Sequence, residues 1–161
     1  MAGALLLVRL AMGCDDGPPA QAMDAGSQDA GHPSLRVGHG ETGYEPLADG
    51  DEVLLHMGMQ GGWHVFAGAR AGDVSPEGAE LDYALVDPAT GSAVTQRRTV
   101  LLGDEQVLWD GASWERFGDA VVIDGTDSDV LGRTLDLTAT LRPETGPSLT
   151  DIRSVVVAEA P

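Results

Sequence analysis

Short runs that alternate apolar and polar residues, cut every few positions by glycine, proline and aspartate, confine this chain to β-structure. Leu135, Leu137, Ala139 and Leu141 interleave with Thr134, Asp136, Thr138, Thr140 and Arg142. Ala79, Leu81, Tyr83 and Leu85 interleave in the same way with Glu80, Asp82, Ala84 and Val86, as do Trp63, Val65, Ala67 and Ala69 with His64, Phe66 and Arg70. Val53, Leu55, Met57 and Met59 form a fourth such run around Leu54 and His56. A period of two puts one set of side chains in a core and the other in water, which is the signature of a half-buried strand. Further strands are expected at Val94–Leu102, Gln106–Trp109, Ala120–Ile123 and Ile152–Ala158. Turns are expected at Asp49-Gly50, Gly61-Gly62, Ser75-Pro76-Glu77-Gly78, Asp87-Pro88, Asp110-Gly111, Asp124-Gly125 and Gly146-Pro147. No window of a dozen residues carries a helical stripe. The expectation is an all-β fold: an antiparallel β-sandwich, immunoglobulin-like in the broad sense, of seven to nine strands.

The start of the chain reads differently. An apolar run, Ala4–Val8, leads through Leu10-Ala11-Met12-Gly13 to Cys14, the single cysteine of 161 residues. Small residues before such a cysteine mark a lipoprotein signal, in which cleavage leaves the cysteine at the new N-terminus with lipid on its sulfur. Arg9 interrupts the run and no basic residue precedes it, which casts doubt on Met1 as the start rather than on Cys14. Asp15–Pro33 is rich in Asp, Gly, Ala, Pro and Gln and nearly free of large apolar residues, so it reads as a flexible tether. About 19 residues at about 3.3–3.6 Å each reach several tens of ångströms at most. The domains expected are a signal peptide over 1–13, a lipidated cysteine and tether over 14–34, and the sandwich over 35–161. No apolar run is long enough to cross a membrane as a helix.

Charge narrows the partners. Acidic residues number 26 against 9 basic ones, a formal charge of -17, and every basic residue is arginine. Nucleic acid and anionic head groups should be repelled. A lone cysteine allows no internal disulfide, so packing alone must hold the domain.

Several motifs carry possible chemistry. Gly38-His39-Gly40-Glu41-Thr42-Gly43 satisfies G-x-G-x-x-G, but Pro46 and Asp49-Gly50 leave no room for the helix a dinucleotide site needs, and the segment reads as a glycine-rich connection. His56, Met57, Met59 and His64 combine imidazole with thioether, a donor set that suits copper. Alternation splits that set, with Met57 and Met59 expected in the core and the histidines on the other face. Asp124, Asp127 and Asp129 offer oxygens to calcium, without the spacing of the twelve-residue calcium loop; their bland reading is a solvated turn. Trp109 and Trp114 flank the Asp110-Gly111 turn, as an exposed platform for a sugar or protein or, the better expectation, as core. Ser113 misses G-x-S-x-G at the last glycine. No catalytic residue and no cofactor is assigned.

The Cys14 signal, the Asp/Gly/Ala/Pro tether, and Glu45–Asp51 leading into Gln60-Gly61-Gly62-Trp63-His64-Val65 resemble exported lipoproteins of the myxobacterial (deltaproteobacterial) type that carry an immunoglobulin-like β-sandwich. The resemblance implies a lipid-anchored protein, periplasm-facing or at the cell surface, held to the membrane through Cys14. It brings no activity. The function expected is a non-enzymatic binding or structural module with an envelope protein or polysaccharide as partner; the alternative is an exported metal-binding protein, for calcium or copper.

Overall fold

The computed structural model describes residues 32–59 and 61–161. Cys14, the signal segment, nearly all of the tether and Gln60 lie outside the described residues. The remainder is an all-β sandwich. Its strands are β1 (Ser34–His39), β2 (Glu45–Pro46), β3 (Glu52–Met57), β4 (Trp63–Gly72), β5 (Glu80–Asp87), β6 (Ser92–Ala93), β7 (Arg98–Leu101), β8 (Leu108–Asp110), β9 (Ser113–Val122), β10 (Thr134–Arg142) and β11 (Leu149–Glu159). Single 3₁₀ turns occupy Asp104–Gln106 and Asp127–Asp129.

The sheet runs β2–β1–β4–β3–β11–β10–β5–β6, with β7 also on β5, β9 also on β4, and β8 outside β9. Because β9 follows β4 from His64 to Gly72, β3 and β1 share the opposite edge of β4, β3 beside residues 63–65 and β1 beside 67–72. The far ends of the sheet meet through an isolated bridge between Thr95 and Ile123, flanked by hydrogen bonds from Gln96 N to Val122 O and from Asp124 N to Val94 O, each 2.9 Å. One pairing departs from the antiparallel expectation: β3 and β11 run parallel, Val53 opposite Val157.

Alternation places the core where the sequence puts it. Leu81, Tyr83, Leu85, Leu135, Leu137, Ala139, Leu141, Val65, Ala67, Ala69, Val53 and Leu55 are all buried. The methionines correct the expectation: Met57 is 69% and Met59 106% exposed. The β3–β4 ladder ends at the Met57–Trp63 pair, so the tip that follows has no opposing layer to pack against. Val94–Leu102 is not one strand. It holds only the Thr95 bridge and β7, with β6 just before it at Ser92–Ala93, and Thr95 turns its hydroxyl inward to accept the Leu85 amide.

A bulge shapes β9. Ala67 faces Asp119 and Ala69 faces Arg116, so Phe117 and Gly118 together oppose the single residue Gly68. Residues three apart on a regular strand point to opposite faces; the extra residue puts Arg116 and Asp119 on the same inner side. Their fork-to-fork contact measures 3.0 Å (Nε to Oδ2) and 2.7 Å (Nη2 to Oδ1). Asp119 is 1% exposed, and such burial is tolerable only because the charge is paired. Gly118 adopts φ of 76°, and a Cβ there would sit 2.8 Å from the Glu41 carbonyl oxygen.

Ion pairs engage the arginines of the surface. Of nine arginines, Arg9 lies outside the described residues; the other eight each contact at least one carboxylate. Asp82 gathers Thr99, Arg97 and Arg142 on the outer side of β5. Burial alone would raise its pKa, but these three hydrogen bonds outweigh it and hold the carboxyl below the ordinary aspartate value. The stabilisation is therefore complete above the unfolded-state pKa of about 4 and is lost as pH falls through the lower folded value. Thermal melts from pH 7 downward should show this acid limb in the native protein, and Asp82→Asn should be less stable at pH 7 with a flatter limb. The buried Tyr83 hydroxyl has no hydrogen-bond partner among the described residues. Tyr83→Phe should accordingly hold or gain stability, by about 1 kcal/mol in a denaturant titration.

Candidate functional site

The outward phase of β4 carries His64, Phe66, Gly68 and Arg70 in one line. His64 stands opposite His56 of β3 on one side and Val122 of β9 on the other, and Phe66 opposes Ala120. The two imidazoles stack with centroids 5.9 Å apart and planes 27° from parallel. Phe66 closes the group, 5.1 Å from His56 and 4.9 Å from His64 in an edge-on contact. Leu54 and Val122, both partly exposed, flank this aromatic group. Gly58 at the hairpin tip adjoins it, and a Cβ there would make an ordinary contact, 3.7 Å from His64 Nδ1.

Further along the same face the glycine-rich connection folds back over the sheet. Tyr44 lies against Gly38 and Gly68; a Cβ at Gly68 would sit 3.3 Å from its ring and 2.9 Å from the Arg116 carbonyl oxygen, and one at Gly38 would collide with the ring outright. Gly118 N donates to Gly40 O at 3.0 Å and pins the connection to the bulge. Of the motif's glycines, Gly38 admits the Tyr44 ring; Gly38 and His39 end β1 and residues 40–43 form the irregular connection that the sequence reading expects, ahead of β2 at Glu45. Burial raises the Tyr44 pKa, with Asp151 and Glu115 adding to the effect and Arg70 and Arg153 opposing it. Arg70 ends the line, 2.8 Å from Asp110, 3.6 Å from Glu115 and 3.3 Å from Ser113 Oγ.

Other candidates fall apart in space. Asp129 accepts both the Thr126 amide and its hydroxyl at 2.8 Å, and Asp127 accepts the Ser128 amide, so these two carboxylates are committed to their own turn. Those bonds from Thr126, the backbone one first, hold Asp129 below the usual carboxylate range. Among the described residues no three His, Cys, Asp or Glu side chains converge as a metal cage. Trp114 is fully buried and donates its indole N–H to Val74 O at 2.8 Å, whereas Trp109, directly opposite, is 53% exposed. The two therefore do not make a shared platform. Ser113 donates to Asp110 O and receives Arg70, a turn-closing role. A separate cleft of about 280 Å³, lined by Pro33, Asp73, Val74, Glu77 and Glu144 among others, opens near the start of β1.

Sequence reasoning set His64, Phe66 and Arg70 on one face of a strand but missed the packing of Phe66 on both imidazoles and the approach of Tyr44 to Gly68. The signal was available: three even-numbered outward positions on one strand, with glycines at 38 and 68 marking close approach.

No protein-family model matches the chain, and no curated protein matches it. Among solved structures it is similar to the CooA pilin subunit from enterotoxigenic Escherichia coli, at 12% identity over 78% of this chain and 99% of that one, with a TM-score of 0.34. A likeness so remote transfers no role.

Burial first, then the neighbouring His56, lower the His64 pKa, while Glu41 opposes them. The unfolded chain therefore binds a proton that the folded protein resists. Stability carried by neutral His64 is present above the unfolded value of about 6.5 and falls as pH drops through the lower folded value. Replacing His64 by Gln should remove that loss from thermal melts recorded between pH 7 and pH 5. An NMR titration of the native protein should show the His64 midpoint below that of a free histidine.

Proposed function

We propose that this chain is a lipid-anchored, non-enzymatic module of the cell envelope or surface, presented on a tether, whose partner is an envelope protein or polysaccharide bound on the outer face of β4. One observation carries the reading: among the described residues the first strand starts at Ser34, directly after the Asp/Gly/Ala/Pro-rich stretch of the sequence. Some twenty residues then separate the folded unit from Cys14, a spacer in keeping with a domain held off a surface. A single acyl chain anchors only marginally, so stable attachment needs a multiply acylated cysteine. The β4 face supplies half-buried aromatic rings beside the partly exposed Leu54 and Val122, with Arg70 further along the strand, a composition that suits recognition.

The test is the intact mass of the mature protein, expressed with its upstream region in a native-like host and separated into membrane and soluble fractions. A membrane-bound product beginning at a lipid-modified Cys14, released into the soluble fraction by Cys14→Ser, is the expected result. A soluble product that retains Met1 would refute the anchor.

A further inference from the structure

The β3–β4 hairpin brings together two imidazoles that are eight residues apart in sequence. His56 and His64 are direct cross-strand partners, and opposed side chains on one face have Cβ atoms about 4.5–5.5 Å apart. Their rings already stack at 5.9 Å. Rotation about the side-chain torsions can bring one nitrogen of each to within about 4 Å, the span of two metal–nitrogen bonds of roughly 2.0–2.1 Å. Phe66 packs against both rings and so restricts where they can swing. Both imidazoles are part-exposed, and Gly58, which carries no side chain, lies beside His64 Nδ1.

We propose that His56 and His64 together bind one divalent transition-metal ion of the copper(II) class, with water completing its coordination. The donor set selects the metal. Alternation turns Met57 away from the pair, opposite Trp63, so the thioether that would favour copper(I) does not lie with the imidazoles. A site of two imidazoles and water takes divalent ions in the usual order of affinity, copper above nickel and zinc, and ignores calcium. The formal charge of -17 raises the local concentration of any cation. The site is independent of the anchor proposed above, since the metal assay and the membrane-fraction mass read different parts of the chain.

The experiment adds copper(II) chloride to the full chain, with Cys14→Ser in every sample so that a free thiol cannot compete. Electron paramagnetic resonance should report two equivalent imidazole nitrogens on one bound ion. His56→Ala and His64→Ala should each weaken that binding at least tenfold, and the double variant should be little worse than either, because one histidine alone cannot chelate. Since either substitution can perturb the hairpin, the protein with both histidines is also followed by NMR: substoichiometric copper should broaden the His56 and His64 ring signals together, ahead of His32 and His39. Binding unchanged in both single variants, or broadening that begins at His32 or His39, would overturn the proposal.

Discussion

The Asp119 carboxylate can lie beneath the sheet only while Arg116 grips both of its oxygens, and that grip exists only while β9 is bulged. Much of the local architecture follows from this pair. Arg116 also donates to Gln106 O at 3.0 Å, which fixes the turn that delivers β8 to the edge of β9. The bulge needs Gly118 at positive φ and Gly68 across from it, and the shallow surface those glycines leave is where Tyr44 and its connection settle. Breaking such a pair by removing one partner strands a charge in the core, at about 3–5 kcal/mol, although replacing both with apolar residues can be neutral. The pair thus acts on shape more than on net stability.

A second polar contact replaces a missing ladder. β1 is paired to β4 along its length but meets β2 only at Gly38 and His39, which leaves the Val37 amide without a strand partner on its other side. Asp151 of β11 accepts that amide at 2.8 Å, and Arg153 and Arg36 lie 3.2 and 3.7 Å from the same carboxylate. A side chain thereby joins β1 to β11 where the backbone does not, and a buried amide is satisfied.

How much of this was legible depends on how local its cause is. Leu135–Leu141 and Ala79–Leu85 alternate without interruption, and their inward residues are buried as read. β9 was legible only in its last residues, because the bulge at Phe117-Gly118 shifts the phase and hides a ten-residue strand behind a broken pattern. The parallel pairing of β3 with β11 joins residues about a hundred positions apart, and no local pattern encodes that choice. Met57 and Met59 keep the core phase in sequence yet overhang the end of the ladder, a matter of where the neighbouring strands stop. Trp109 and Trp114 show the same limit: one residue type, opposed across a single turn, with opposite burial set by which strand is the edge. For the candidate site, the separation of histidines from methionines and the alignment of Arg70 with His64 could be read from alternation, whereas the approach of Tyr44 depended on a fold-back that only the glycines foreshadowed.

The described arginines are paired with carboxylates at short range, and across the chain 26 acidic groups outnumber 9 basic ones, a net charge of -17. To anything more than a nanometre away it looks like a polyanion. Two such bodies on a crowded surface repel each other and space themselves, and they do so less as salt rises and the screening length falls below about 10 Å. Near any anionic surface the same field would repel the body over about one screening length, and so set a minimum stand-off rather than an orientation.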